Sequence, residues 1–235
     1  MASFRVAAAV VAGSLFLAGC VTTQTTSFRA AQGQHTMGRD GRAALQSARA
    51  KTIVVASPSA RETPLGARSS LVVGIRNVSG QPVTFQLADV TATQIGGPGD
   101  GKELKVFTYE ELVTEEKNRQ IAAAILVGVA AGANAYGAAR SSHNPYVRTW
   151  NQHVATQQNA ELIAQTAAQG EINLATLETS IIKDNTLMPG QTYGGILVVA
   201  PPTTSEAAQP SSYRLSMVIG GERHDLLVDQ TPVGR

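Results

Sequence analysis

Residues 108 to 188 carry a helical spacing that separates two blocks of strand-type alternation, so the helical segment reads as an insertion into one β body. Thr108 stands three residues before Glu111, the spacing of a capping box. Glu110, Glu111, Glu115 and Glu116 then load the first turns with negative charge. Ile121, Ile125, Gly128, Gly132, Ala135 and Ala139 follow at intervals of three and four. A loop is expected from Arg140 to Trp150, broken by Asn144-Pro145. The same rhythm resumes at Ile163, Ala167, Gly170, Leu174, Leu177 and Ile181, and should stop before Pro189-Gly190. Two helices of matching period predict an antiparallel helical hairpin over 108–188, with Gly128, Gly132 and Gly170 letting the backbones approach.

The flanking blocks read as strands. Thr52–Ala56, Leu71–Ile75 and Val83–Val90 precede the helices; Gly195–Ala200, Tyr213–Ile219 and Arg223–Val228 follow them. Asn77 to Pro82 predicts one hairpin turn and Gly220-Gly221 a second. The expected fold class is α+β: an antiparallel immunoglobulin-like β-sandwich of about six to seven strands, its halves at 51–107 and 189–235, interrupted by the helical hairpin.

The N-terminus carries Arg5, then an uncharged run from Val6 to Ala18, then Gly19-Cys20. Thirteen helical residues span only about 20 Å, short of a hydrocarbon core of about 30 Å, so this run fits a cleaved secretory signal over 1–19 better than a permanent span. Leu17-Ala18-Gly19-Cys20 resembles the lipobox of bacterial lipoproteins. The resemblance implies cleavage between Gly19 and Cys20, a diacylglycerol on the Cys20 thiol and a further acyl chain on the freed amine. Two or three chains anchor stably where one does not. Val21, rather than aspartate, follows the cysteine, which by the enterobacterial sorting pattern implies the outer membrane. Residues 20–50, rich in Thr, Gln, Ser, Ala and Gly, are expected to form a lipidated, flexible tether. Its Arg29, Arg39, Arg42 and Arg49, with Lys51 just beyond, are solvated or touch headgroups.

Little catalytic chemistry is legible. A single cysteine excludes an intrachain disulfide framework and a multi-cysteine metal site. A net charge of +2 gives no footprint for nucleic acid, and 5% aromatics supply few stacking platforms. Gly96 to Gly101 is glycine-rich but precedes Lys102-Glu103 and a short strand, so it reads as a hairpin loop rather than a phosphate cradle. His35, His143, His153 and His224 form no ligand pair with a nearby carboxylate or cysteine, so no metal and no cofactor is expected. The acidic run from Glu110 to Glu116 is explained by a helix start.

These features point to a non-enzymatic, lipid-anchored envelope protein that contacts a membrane through acyl chains on Cys20 and meets a protein partner or itself. One alternative is a membrane-active oligomer. Residues 121–139 hold no charge over nineteen positions, and Gly128 and Gly132 match Gly-x-x-x-Gly. The five strongly apolar residues there contribute roughly −2 kcal/mol toward insertion, which is marginal for one helix. A third class, an envelope hydrolase using His143 or His153 with distant residues, needs a histidine, a carboxylate and a hydroxyl to meet in a cleft.

Overall fold

The computed structural model describes residues 23–39, 41–204 and 209–233; the expected signal segment, Gly19 and Cys20 lie outside them. The chain opens with β1 (Thr23–Arg29), β2 (Gln34–Arg39), β3 (Arg42–Ala48), β4 (Thr52–Pro58) and β5 (Glu62–Pro64). It continues through β6 (Ser69–Asn77), β7 (Val83–Phe85), β8 (Val90–Ile95), β9 (Glu103–Leu104) and β10 (Val106–Phe107). The helices α1 (Tyr109–Arg140) and α2 (Pro145–Ser180) come next. β11 (Asn185–Leu187), β12 (Thr192–Val199), β13 (Ser211–Ile219) and β14 (Glu222–Val233) close the sequence.

The fold is α+β with antiparallel sheets. One six-stranded sheet runs β5-β1-β14-β13-β8-β9 and another runs β10-β12-β6-β4-β3-β2; β11 and β7 form a small pair. Alternate residues of both large sheets enter one core. Leu215, Leu226, Val228 and Ala92 come from the first, and Leu45, Val54, Leu71, Ile75 and Leu197 from the second. Tyr213 is fully buried between them, its hydroxyl 2.6 Å from Ser69 Oγ.

Among the described residues fourteen strands replace the six or seven expected, and the largest correction falls on the expected tether. Residues 23–48 are three sheet strands, with β1 paired to β14 along its whole length and β3 to β4. The segment is poor in large apolar residues, but a strand inserted into a ladder gains its backbone hydrogen bonds and needs only a few inward anchors. Phe28 and Leu45 are those anchors, and buried Gln34 and Ser47 are hydrogen-bonded. The first block of the β body therefore begins at Thr23, not at residue 51.

The two turns fare differently. Gly220 and Gly221 join β13 to β14 as a two-residue turn with φ of +59° and +80°, where only glycine is unstrained. The Asn77–Pro82 turn joins no hairpin: β6 pairs with β4 and β12, whereas β7 pairs with β11 and β8 with β13. The Asn77 amide donates to Gln81 O and Leu187 O, and this ties down a crossing between sheets.

A buried polar chain also joins the two large sheets. The Glu222 carboxylate accepts from Lys51 N, Thr52 N and the Thr52 hydroxyl. Thr52 Oγ1 lies 2.8 Å from His224 Nε2, and Ser47 Oγ lies 3.0 Å from His224 Nδ1. These partners suit a neutral imidazole carrying its proton on Nε2. Burial, reinforced by nearby Arg49, pushes the His224 pKa down to about 4, while Glu222 and Asp225 pull the other way. The unfolded chain therefore takes up this proton at a higher pH than the folded one. Stability from His224 is complete above its unfolded value near 6.5 and is lost as pH falls toward 4. We expect urea melts to show a loss of about 2–3 kcal/mol from this group between pH 7.5 and 4.5. His224→Gln should flatten the profile across that window.

Candidate interaction surface on the helix pair

The helices leave and re-enter the β body at adjacent points on β12. Val106 and Phe107 of β10 pair with Val199 and Val198, and Ile181, just past α2, bridges Ile196. Ile196 and Val198 alternate with core-facing Leu197 and Val199, so they project from the outer face of the sheet. There they pack with Leu112, Leu177, Ile181, Phe107 and Tyr109 in a second apolar cluster. Gly195 is required at this junction, because a Cβ there would stand 2.7 Å from Ile182 N. Arg68 forks onto Glu115 at 2.7 and 3.0 Å and stacks 3.9 Å above Phe107. Lys105 pairs with Glu111 at 2.8 Å and lowers that carboxyl's pKa.

Thr108 closes the expected capping box with Glu111. The far end is tighter than expected, four residues rather than about ten. Asn144 caps α2 by accepting from Tyr146 N, and Pro145 occupies its first turn. A proline there costs nothing, since its missing N–H would be unpaired anyway, so Asn-Pro starts this helix instead of breaking the chain. α2 ends at Ser180, earlier than Pro189-Gly190 suggested, because residues 185–187 pair as β11.

The helices run antiparallel, as cross-bonds with falling α2 numbers establish. Asn173 donates to Glu116 at 2.9 Å, Gln120 to Gly170 O at 2.9 Å, and Asn159 to Ala131 O at 3.1 Å. Asn134 reaches Asn159 at 3.1 Å. The α1 side of the seam runs through Glu116, Gln120, Ala123, half-buried Val127, Ala131 and Asn134, and is chiefly polar and small. Glu116 sits at its head, its pKa held down at about 2 chiefly by Arg119, with Asn173 and Gln120 also donating, so it is ionised at any neutral pH.

This corrects the expected packing. At about 3.6 residues per turn, Ile121, Ile125 and Val129 fall roughly opposite the seam, with Leu126 beside them. They are 60%, 62%, 67% and 69% exposed respectively. Gly128 and Gly132 lie on that outward side, and a side chain at either would meet nothing within 4 Å. Only Gly170, of the three glycines singled out for packing, is in the seam: a Cβ there would stand 2.7 Å from the Gln120 side chain. The apolar spacing points to a contact face because apolar stripes usually are one. The decisive signal is instead the matching register of Gln120, Asn134, Asn159 and Asn173, whose amides hydrogen-bond across helices that small residues let approach.

At the distal end Tyr136, Tyr146 and Trp150 are exposed, with Arg140 4.4 Å above the Tyr136 ring. His143 lies in the link, and His153 contacts Gln157 at 3.2 Å. Among the described residues no three His, Cys, Asp or Glu side chains gather as a metal group. The Ser47–His224–Thr52–Glu222 chain has hydrolase-like residue types, and Ser47, His224 and Thr52 are fully buried. The chain matches no protein-family model, and comparisons with curated proteins and with solved structures find no match.

The two kinds of glycine should respond oppositely. In the monomer, Gly128→Ala and Gly132→Ala should each stabilise α1 by about 0.5–1 kcal/mol, since alanine favours helix and the space is open. Gly170→Leu should displace Gln120, break its bond to Gly170 O and lower the helical melting transition followed by circular dichroism.

Proposed function

We propose that this protein is a lipid-anchored component of a bacterial envelope, acylated at Cys20, that works as a non-enzymatic assembly module. In this reading an immunoglobulin-like two-sheet body holds the helical hairpin out as a contact arm. The observation that carries it is the inverted amphipathicity of the arm. Glu116, Gln120, Asn159 and Asn173 spend their polar groups across the seam, while Ile121, Ile125, Leu126 and Val129 stand in solvent on the other side of α1. Monomeric soluble proteins rarely leave such a row uncovered. The occupant proposed for it is a second copy of the same chain, joined helix to helix, with Gly128 and Gly132 permitting close backbone contact. Tyr136, Tyr146, Trp150 and Arg140 at the tip are the side-chain types that carry binding energy at protein interfaces.

A membrane-active arm is the second reading. It is favoured by one observation: α1 is long and apolar enough to cross a bilayer, and none of its most apolar stretch is buried. Against it stands α2, which runs beside residues 121–139 carrying Gln157, Asn159, Glu161, Gln165 and Gln169. Inserting the pair would take those groups out of water, at a cost that the modest apolar row does not offset.

The readings separate on the full-length lipidated chain. Ile125→Glu with Val129→Glu should abolish crosslinked oligomers while leaving the monomer's melting temperature unchanged. Oligomers that survive these changes, or a monomeric wild type that permeabilises lipid vesicles, would exclude self-assembly through this face. Cys20→Ser should move the protein to the soluble fraction; retention of the variant on membranes would exclude lipidation as the anchor.

A further inference from the structure

Between the two sheets, at the end of the core where β1 starts and β14 finishes, lies an open cavity of about 240 Å³. Its floor is formed by Gln24 of β1 and Gln230 of β14, which are 4% and 2% exposed. Thr26 pairs with Gln230 and Gln24 with Pro232, so the two glutamines are diagonal neighbours on one sheet face. The Ser211 hydroxyl donates to Gln230 Oε1 at 3.4 Å, which turns the Gln230 Nε2 away from it. Both Nε2 groups are buried, and neither has a hydrogen-bond partner among the described residues. An unpaired buried donor is destabilising, and two side by side on a cavity wall are a marked exception to the rule that buried polar groups are bonded. Gln94, at the same end of the core, is by contrast satisfied through Thr203 and Gly96.

We propose that this cavity is a binding site for a small neutral amide, the backbone carbonyl of a peptide, received by the Gln24 and Gln230 amide donors. Two buried N–H groups left unbonded by the described residues call for a ligand oxygen. Among the described residues no charged side chain lines the cavity, so a buried carboxylate would lack the cation that offsets its desolvation, and a neutral carbonyl fits better. Pro201, Pro202 and Leu65 supply an apolar wall for a short side chain. Among the described lining residues there is no aromatic ring for a sugar face to stack on, which disfavours an amino sugar carrying the same amide. The volume equals that of about eight waters at roughly 30 Å³ each, room for a single capped residue. The site shares no residue with α1 and does not depend on the assembly reading.

The test is titration of the full-length chain with N-acetyl-alanine methylamide, observed through the glutamine side-chain NH₂ signals in nitrogen–proton correlation spectra. Gln24→Met and Gln230→Met assign the two signals. Both should shift together and saturate, with acetate and N-acetylglucosamine leaving them in place. Each methionine variant should weaken binding about tenfold, as loss of one amide donor predicts. Binding rather than stability is the readout, because removing an unpaired donor is expected to raise the melting temperature whether or not the cavity is used. Signals that stay fixed at tens of millimolar peptide amide, or that keep their contacts to water at saturation, would overturn the proposal. So would an equal response to N-acetylglucosamine. The wild-type titration is decisive even where a variant fails to fold.

Discussion

The junction on β12 governs what the rest of the molecule can be. Because Phe107 leaves the body opposite Val198 and Ile181 returns beside Ile196, the entry and exit of the helical segment are fixed next to each other. Two helices rooted side by side and linked by four residues can only run antiparallel. The cluster of Leu112, Leu177, Ile181, Ile196 and Val198 then fixes their base to the sheet, while the remainder of the arm is held by its own seam. Stability along the arm should accordingly fall from root to tip, since the apolar burial is at the root and the cross-bonds farther out are few and partly solvated.

The chemistry of that seam accounts for the exposed row. Each amide or carboxylate bond across it contributes a net 0.5–1.5 kcal/mol or so, enough to set register when small residues let the backbones close in. An apolar seam would have gained more by burial and would have hidden Ile121, Ile125 and Val129 at the cost of exposing Gln120, Asn159 and Asn173. The arrangement adopted has the opposite consequence. It leaves unused apolar surface, worth about 1.5–3 kcal/mol for each side chain that is later fully covered. A fold that satisfies its polar groups internally and postpones its apolar burial has that term available for association.

The larger divisions of the fold are legible in the sequence, and its packing is less so. The helical segment is legible because capping at Thr108 and the spacing of three and four are local signals, and the Gly220-Gly221 turn because positive φ at consecutive positions demands glycine. β1 to β3 are not legible, because their place in the sheets comes from partners far along the chain: Thr23 opposite Val233, Phe28 opposite Val228. The crossing after Asn77 is hidden for the same reason, since its amide is answered by Leu187 more than a hundred residues away. Of the surface proposed to work, the residues of α1 are visible in the sequence, but which way they point is not. That depends on whether apolar contact or amide hydrogen bonding wins the seam.

The same rule of accounting for every polar group separates the two buried networks. In the His224 chain each donor meets an acceptor: Ser47 to His224, His224 to Thr52, Thr52 to Glu222. Such a closed chain rigidifies the contact between sheets and leaves nothing over for a ligand. At the other end of the β body the accounting fails twice, at Gln24 and Gln230, and it fails where the core opens to a cavity. Methionine or leucine at both positions would fill the strand ends without that penalty, so the two amides are a destabilising choice for a purely structural core. Their cost is removed when an acceptor enters from outside.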